Sequence, residues 1–169
     1  MGKHGNKPIN VTRLRELFGY ADGGLYWKVN KGRAKVGDRS YTNNVGYNVL
    51  KFDGTAYLEH RLVWAWHYGS CPEFIDHVDN NPKNNRIENL RAASFSENMR
   101  NAVLGKKNTS GVKGVYWCAS KQKWKAVLTF GGKQNYLGRF SDLSVAADAV
   151  AKARQRHHGQ FANNGDYNG

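Results

Sequence analysis

Residues 75–98 read IDHVDNNPKNNRIENLRAASFSEN, and this stretch says most about the fold and chemistry of the protein. They place an acid and a histidine side by side, at Asp76 and His77, directly before a loop of asparagines and one proline. Asparagine side chains favour local hydrogen bonds to the backbone, so this loop is predicted to be irregular. A helix is predicted only after it, over residues 94–103, with Ser94 as its N-cap.

Asp76 and His77 combine two groups that hydrolysis of a phosphodiester needs. A base activates water, and a cation stabilises the charge that develops on the phosphate and the leaving oxygen. An imidazole titrates near neutral pH, whereas a carboxylate is a hard ligand suited to magnesium or manganese. Neighbours on a strand face opposite sides, so both reach one site only if the chain bends after them. A loop returning to a helix could bring the amides of Asn89 and Asn98 against the pair.

The chain before this stretch alternates between helical and strand patterns. Apolar residues recur at helical spacing from Ile9 to Phe18 and stop at Gly19, which predicts one short helix. Three strands are predicted at residues 25–27, 47–52 and 56–58. Asp53-Gly54 lies between the last two and predicts a hairpin turn.

A second helix is predicted over Arg61–Tyr68, because this run is apolar and Gly69 closes it. His60 lies where the hairpin enters this helix. We interpret it as a buried structural histidine rather than a catalyst. Pro72 then predicts a loop that leads into the Asp-His pair.

The pattern changes beyond Gly111. Three short strands are predicted near residues 114–118, 123–130 and 134–140, followed by a helix from Ser141 whose apolar residues form one stripe. The expected unit is a small three-stranded antiparallel sheet packed on one helix, and the fold class of the whole chain is α+β. Eleven Lys or Arg and two acids lie between positions 106 and 158, so the positive charge is concentrated here.

The composition points to a polyanionic partner. The chain has 169 residues with a net charge of +13, which favours nucleic acid, and double-stranded DNA is the partner we expect. No run approaches the roughly 18–20 apolar residues that span a bilayer, so we expect no membrane association and a cytoplasmic protein. Cys71 and Cys118 form no CxxC pair and are interpreted as reduced and structural.

The central stretch resembles a known family. Ile75–Asp79, Asn84-Asn85, Glu88–Arg91 and Glu97-Asn98, with Gly46-Tyr47 and His60–Val63 upstream, resemble the HNH nucleases of phage intron-homing endonucleases. The resemblance covers about residues 9 to 104. It implies an N-terminal HNH nuclease domain at 1–104 with a ββα-metal core at about 58–104, and expression in a phage-infected bacterial cell.

The same resemblance implies roles for individual residues. His77 would be the general base, Asn89 would orient it, and Asp76 and Asn98 would be the metal ligands. Asn98 stands where many family members have histidine. A carboxylate with an amide oxygen favours one Mg²⁺ or Mn²⁺ per active site over zinc.

The segment after a linker at 105–111 has its own resemblance. Ser110–Trp117, Lys123–Ala126 and Tyr136–Phe140 resemble the plant Apetala/ethylene-response-factor type of DNA-binding domain. This implies a DNA-binding domain at 112–162, a tail at 163–169, and a sheet that lies in the major groove. Strand alternation and this resemblance give the residues expected to contact DNA: Lys113, Tyr116, Lys123, Lys125, Thr129, Gln134 and Tyr136, with Arg61 and Arg91 in the nuclease domain.

Other functions stay open at this point. Tyr116, Cys118 and Thr129 replace arginines that read bases in the plant proteins, so sequence preference should differ. One metal centre attacks one strand at a time, so we expect a nicking monomer without an obligate protein partner, with a dimer as the alternative. The rival functions are a catalytically silent DNA-binding regulator, in which Asp76 and His77 are structural, and an RNA-binding protein.

Overall fold

The computed structural model describes residues 7–44, 46–101, 104 and 108–164. The chain divides into two compact units, Met1–Ser94 and Phe95–Gly169. This boundary lies before the linker predicted at 105–111, of which residues 105–107 are outside the described residues. Small antiparallel sheets combined with helices confirm the α+β class. No helix in the described ranges is long and apolar enough to cross a membrane.

In its described residues the first unit contains two α-helices and three small sheets. Its elements are α1 (Val11–Leu17), β1 (Phe18–Ala21), β2 (Gly24–Trp27), β3 (Thr42–Asn44), β4 (Tyr47–Phe52), β5 (Thr55–Leu58), α2 (Glu59–Tyr68), β6 (Phe74–His77) and β7 (Leu90–Ala93). The pairs β1-β2 and β6-β7 and the sheet β3-β4-β5 are all antiparallel. A 3-10 turn, Ile87–Asn89, precedes β7.

Local sequence explains where these elements begin and end. The side chain of Asn10 caps α1 by accepting a hydrogen bond from the Arg13 N–H at 3.0 Å. The helix ends at Leu17, one residue earlier than Gly19 suggested, because Phe18 already begins β1. Asp53 and Gly54 both have positive φ, 45° and 77°, which is the conformation of a two-residue hairpin turn, as predicted.

Helix α2 connects the core of the first unit to the Asp-His strand. It ends at Gly69 with φ 76°, where the left-handed backbone donates the cap hydrogen bond to Ala65. Its inward face buries three apolar side chains and two polar ones, and the polar pair is Glu59 and His60. The apolar core comprises Leu14, Leu17, Phe18, Leu25, Leu50, Phe52, Tyr57, Leu62, Val63, Ala65, Ile75 and Leu90.

The second unit is a three-stranded sheet with helices. Its elements are α3 (Phe95–Asn101), β8 (Val115–Cys118), β9 (Lys123–Phe130), β10 (Lys133–Phe140) and α4 (Leu143–His158), and the antiparallel strand order is β10-β9-β8. Asp142 caps α4 by accepting from the Ser144 N–H at 2.6 Å. The core joins the sheet to α4 through Val115, Ala126, Ala146 and Val150. The helix predicted over 94–103 is present as α3, although residues 102 and 103 lie outside the described ranges.

Strand β10 contains a β-bulge between Tyr136 and Gly138. Gly138 has φ 140°, and a Cβ there would lie 2.9 Å from the ring of Phe140, so the position requires glycine. The extra residue shifts the alternation of side chains along the strand. As a result Arg139, rather than Gly138, pairs with Lys125 across the sheet.

Candidate active site and nucleic-acid surface

Asp76 and Arg91 form a buried ion pair between β6 and β7. The two residues are direct cross-strand partners, and Nε and Nη2 of Arg91 both donate to Oδ2 of Asp76 at 2.7 Å. The side chain of Asp76 is 6% exposed and that of Arg91 is 16% exposed. Arg91 was predicted to contact DNA and Asp76 was predicted to bind the metal. In the structure these two side chains bind each other.

His77 is buried beside Asp76 and contacts an asparagine that the sequence did not assign to it. Its Nε2 lies 3.0 Å from Oδ1 of Asn85. The ring of His60 stands edge-on to it at 5.0 Å between centroids, and His60 is buried, as predicted. The Tyr47 ring lies 6.4 Å away.

Asn85 leads from His77 to a buried carboxylate, Glu59. Nδ2 of Asn85 donates to Oε2 of Glu59 at 3.0 Å, and Nδ2 of Asn48 donates to the same oxygen at 2.9 Å. Oε1 of Glu59 accepts from the Leu25 N–H at 3.2 Å and forms an ion pair with Arg39 at 3.1 Å. Sequence reasoning missed both Glu59 and Asn85 as parts of the site.

Asn89 holds the loop that follows His77. Its Oδ1 accepts from the Asp79 N–H at 3.1 Å, and its Nδ2 donates to Oδ1 of Asp79 at 2.9 Å and to the Asn84 carbonyl at 2.8 Å. Its own carbonyl accepts from the Val78 N–H at 2.9 Å. These bonds produce the bend after the Asp-His pair, so Asn89 acts on the backbone next to His77. Its assignment as the residue that orients the ring stays a prediction.

Burial determines the protonation of the two neighbouring histidines. Desolvation lowers the pKa of His60 to about 3, and the charge of His77 adds to this effect. Desolvation also lowers the pKa of His77, against the opposing effects of Asn85, Asp79 and Asp76. Both rings are therefore neutral at physiological pH. A neutral imidazole has one nitrogen lone pair that can accept a proton.

Asp79 lies in the bend that follows His77. Burial raises the pKa of its carboxyl, but hydrogen bonds from Asn84, Asn81 and Asn89 outweigh burial and lower it. The acid is therefore ionised, and three asparagines of the loop are its donors. Two of these donors are the side-chain amides of Asn84 and Asn89, and the third is the backbone N–H of Asn81, so asparagines supply the local partners of this acid.

The contacts of the predicted metal ligands show whether these residues could hold a divalent cation. No cluster of three or more His, Cys, Asp or Glu suited to a metal occurs among the described residues. Magnesium keeps most of its water ligands and needs only one or two carboxylates. Asp76 supplies one carboxylate, which in this structure forms an ion pair with a cationic group, the Arg91 guanidinium, and so fits this requirement. Asn98 lies half-buried on α3 in the second unit, and its role as a ligand stays a prediction.

The second unit presents polar side chains on one side of its sheet. Tyr116, Lys125 and Arg139 are cross-strand partners on β8, β9 and β10, and Thr129 is paired with Gln134. Residues opposite each other in an antiparallel sheet share a face. We define the sheet face as Tyr116, Lys123, Lys125, Thr129, Gln134, Tyr136 and Arg139. All but one of these belong to the predicted DNA-contacting set.

The exception is Arg139, which uninterrupted alternation assigns to the core side. The bulge before it moves it onto the sheet face, where its guanidinium lies 5.5 Å from the Tyr136 ring centroid. Tyr136 is 56% exposed and Tyr116 is 50% exposed, so both aromatic rings are open to a ligand. The glycine inside a predicted strand, Gly138, was the signal that could have identified the bulge.

Two basic residues of the predicted DNA-contacting set are held by backbone carbonyls. Nζ of Lys113 donates to the Arg100 carbonyl at 2.9 Å, and burial, then the charge of Arg154, lower its pKa to about 8. In the first unit, Arg61 donates to the carbonyls of Pro72 and Glu73 at 3.1 and 3.0 Å. Both side chains stabilise loops in this structure.

Comparison with known proteins gives two findings. A family model described as HNH endonuclease matches residues 57–100. Protein 3.8 of Escherichia phage T7 is 39% identical over 105 residues, which are 61% of this chain and 86% of that protein. No solved structure matches the chain. The matched segment of the family model includes the Asp-His strand, the asparagine loop and most of α3.

Proposed function

The chain belongs to the same family as Protein 3.8 of Escherichia phage T7 and carries an HNH endonuclease domain, and from this premise we propose that it hydrolyses phosphodiester bonds in double-stranded DNA. The observation that carries the proposal is the position of the buried His77 directly after Asp76, a carboxylate ion-paired with Arg91, at the end of β6. A base and a cation-binding carboxylate in adjacent positions are the two groups that this hydrolysis needs.

His77 acts in this proposal as the general base. Its neutral ring removes a proton from the water that attacks phosphorus, and the Asn85 contact keeps the ring in place during the transfer. Asp76 and Asn98 would hold one Mg²⁺ or Mn²⁺ in a ββα-metal arrangement. When bound, such a cation supplies charge stabilisation for the phosphate and the leaving oxygen. Arg91, next to this centre, would contact a phosphate oxygen of the DNA.

The second unit is proposed to supply DNA affinity. Its sheet face combines lysines and an arginine with exposed tyrosines, which suits phosphate contacts beside base contacts in a groove. An Apetala-like docking of this sheet in the major groove follows from the sequence resemblance. We further propose a homing endonuclease that recognises a sequence and nicks one strand per active site, because the basic sheet face lies on strands that follow the nuclease motif in the chain.

The test is plasmid nicking with purified protein and added magnesium. The His77→Ala variant should lose strand cleavage by about 10²-fold or more, as expected when a general base is removed, and should keep wild-type affinity in a gel-shift titration. His157→Ala is the matched control, since this exposed ring stacks on Phe130 outside the site. Cleavage by His77→Ala at the wild-type rate would refute the role of the base.

Two further measurements separate the alternatives. Wild-type protein that binds duplex DNA but never nicks it, with magnesium or manganese, would favour the silent regulator. Competition by structured RNA stronger than by duplex DNA would favour the RNA-binding function. Mapping the nick on DNA that surrounds the gene tests the homing role, because a homing enzyme cuts near its own insertion site.

A further inference from the structure

We propose that Glu59 and Asn85 are positioning residues that fix the tautomer of His77, so that Nε2 carries the proton and Nδ1 presents its lone pair to water. This inference rests on the proposed function in one respect, which is that His77 is the base. The tautomer itself is a property of the folded protein and can be measured without DNA.

The argument starts at Glu59, because a carboxylate can only accept hydrogen bonds. Its side chain is 0% exposed at the beginning of α2, and its charge is balanced by the ion pair with Arg39. Three N–H donors from Leu25, Asn48 and Asn85 also point at its two oxygens. A carboxylate with this many donors has one stable orientation, which fixes where Oε2 stands.

Asn85 transmits this orientation to the histidine. The side-chain amide has a donating end and an accepting end, and the two look alike in shape. The donating Nδ2 must face Glu59, because the reverse orientation would place two acceptors against each other and leave Asn85, 1% exposed, with a buried unsatisfied group. The accepting end, Oδ1, therefore faces Nε2 of His77 at 3.0 Å.

The tautomer of His77 follows from this contact. An amide oxygen cannot donate, so Nε2 of the ring carries the hydrogen. In a neutral imidazole the other nitrogen then holds the lone pair, and Nδ1 is the atom that accepts a proton. The Nε2–H bond to Asn85 persists when Nδ1 becomes protonated. Proton transfer consequently requires no rearrangement in the chain from His77 through Asn85 to Glu59.

Asn48 provides a matched control within the same network. It donates to the same carboxylate oxygen of Glu59, at 2.9 Å, and is buried like Asn85, at 6% exposed against 1%. Its hydrogen bond stabilises Glu59 but does not lead to the ring of His77. Loss of either asparagine amide thus removes one donor from Glu59, and only the loss of Asn85 removes the acceptor from His77.

The first experiment is ¹⁵N NMR of the imidazole ring in wild-type protein without DNA, at a pH where His77 is neutral. We expect the Nε2–H tautomer for His77. In Asn85→Ala the preference for the Nε2–H tautomer should be lost. In Glu59→Gln the spectrum should shift towards a mixture of the two tautomers, because the glutamine amide can donate a hydrogen bond and so permits the Asn85 amide to turn over. A wild-type ring with its proton on Nδ1 would overturn the proposal, whatever the cleavage rate.

The second experiment compares nicking by Asn85→Ala and Asn48→Ala under saturating magnesium. Misplaced partners of a catalytic histidine typically cost about 10–100-fold, so Asn85→Ala should lower kcat by that factor with an unchanged KM for DNA. Asn48→Ala should lose much less of its kcat than Asn85→Ala, because Glu59 keeps its donors from Leu25 and Asn85, although the unfolding midpoint also falls. Equal kcat losses in the two variants would mean that the network is merely structural, which overturns the proposal.

The outcomes separate this inference from the proposed function. If His77→Ala cleaves DNA normally, the base assignment fails while the tautomer measurement stands by itself. If His77→Ala is inactive but Asn85→Ala retains full kcat, the proposed function survives and the positioning role is refuted. If Asn85→Ala does not fold, the wild-type spectrum alone still decides the tautomer.

Discussion

The surroundings of His77 and the sheet face of the second unit use similar polar side chains in opposite environments. His77, Asn85 and Glu59 are 7%, 1% and 0% exposed, and each is hydrogen-bonded to the next. On the sheet face, Tyr116 and Tyr136 are half or more exposed. A buried polar group needs a protein partner, whereas an exposed one has water. Substitutions in the first region should therefore alter stability and rate, and those in the second should alter binding.

The largest expected effect is on stability, from Glu59→Leu. This variant leaves the Arg39 guanidinium and two buried amides without their acceptor, and removal of one member of a buried ion pair costs about 3–5 kcal/mol. The measurement is the free energy of unfolding in urea. The control is Glu16→Leu, which breaks an exposed ion pair with Arg13, worth about 1 kcal/mol or less. Similar losses of unfolding free energy in the two variants would contradict the claim that the buried ion pair stabilises the protein more than the exposed one.

The next effect is on sequence discrimination by Gln134. This exposed residue of the sheet face offers an amide to a base edge, and such contacts are worth about 1–3 kcal/mol of discrimination. Gln134→Ala should change the order of preference among duplexes while its affinity for scrambled DNA stays near wild type. The assay is competition between specific and scrambled duplexes. An unchanged ratio of the two affinities would exclude Gln134 from base recognition.

Lysine and arginine on the sheet face should contribute through salt-dependent phosphate contacts. Lys123→Ala, Lys125→Ala and Arg139→Ala should each weaken binding to all duplexes alike and reduce the slope of log K against log salt by about one unit. Gel-shift titration across a salt series measures the slope. The Arg139 variant tests the bulge directly. If it keeps the wild-type slope while the lysine variants lose one unit, the bulge does not bring Arg139 to DNA.

The smallest effect on DNA binding is expected from Lys113→Ala. This variant compares a lysine held by a backbone carbonyl with the lysines of the sheet face in the same unit. Its ammonium is partly buried and donates to the Arg100 carbonyl, so it should release no counterion on binding. The salt slope should stay at the wild-type value, although the unfolding midpoint should fall as the hydrogen bond is lost. A loss of one unit in the slope would restore the sequence-based assignment of Lys113 to DNA.

The parts of this structure that follow from local sequence were predicted correctly. The Asp53-Gly54 turn needs only two adjacent residues with positive φ, and the end of α2 needs only Gly69. Strand β9 was predicted with its observed bounds, because Lys123–Phe130 has glycines or polar turns on both sides. The outward set on β9 likewise follows from simple alternation.

The parts that depend on distant partners were not predictable. Asn85 contacts His77 because Glu59, 26 positions earlier in the chain, fixes its amide, and no spacing rule connects these residues. The sequence favoured Asn89, which lies in a recognised motif but bonds to the loop backbone. Arg139 was not among the residues predicted to contact DNA, because simple alternation does not reveal the bulge that moves it onto the sheet face.

The β-bulge also affects how this sheet behaves towards other copies of itself. Strand β10 is at one edge of the order β10-β9-β8, where unpaired backbone groups can recruit a strand from another molecule. The register shift at Tyr136/Gly138 interrupts the straight row of donors and acceptors that such recruitment requires. Lys133 and Arg139 add repulsion between like-charged edges. The irregularity that brings an arginine to the sheet face therefore also protects the protein against edge-to-edge aggregation.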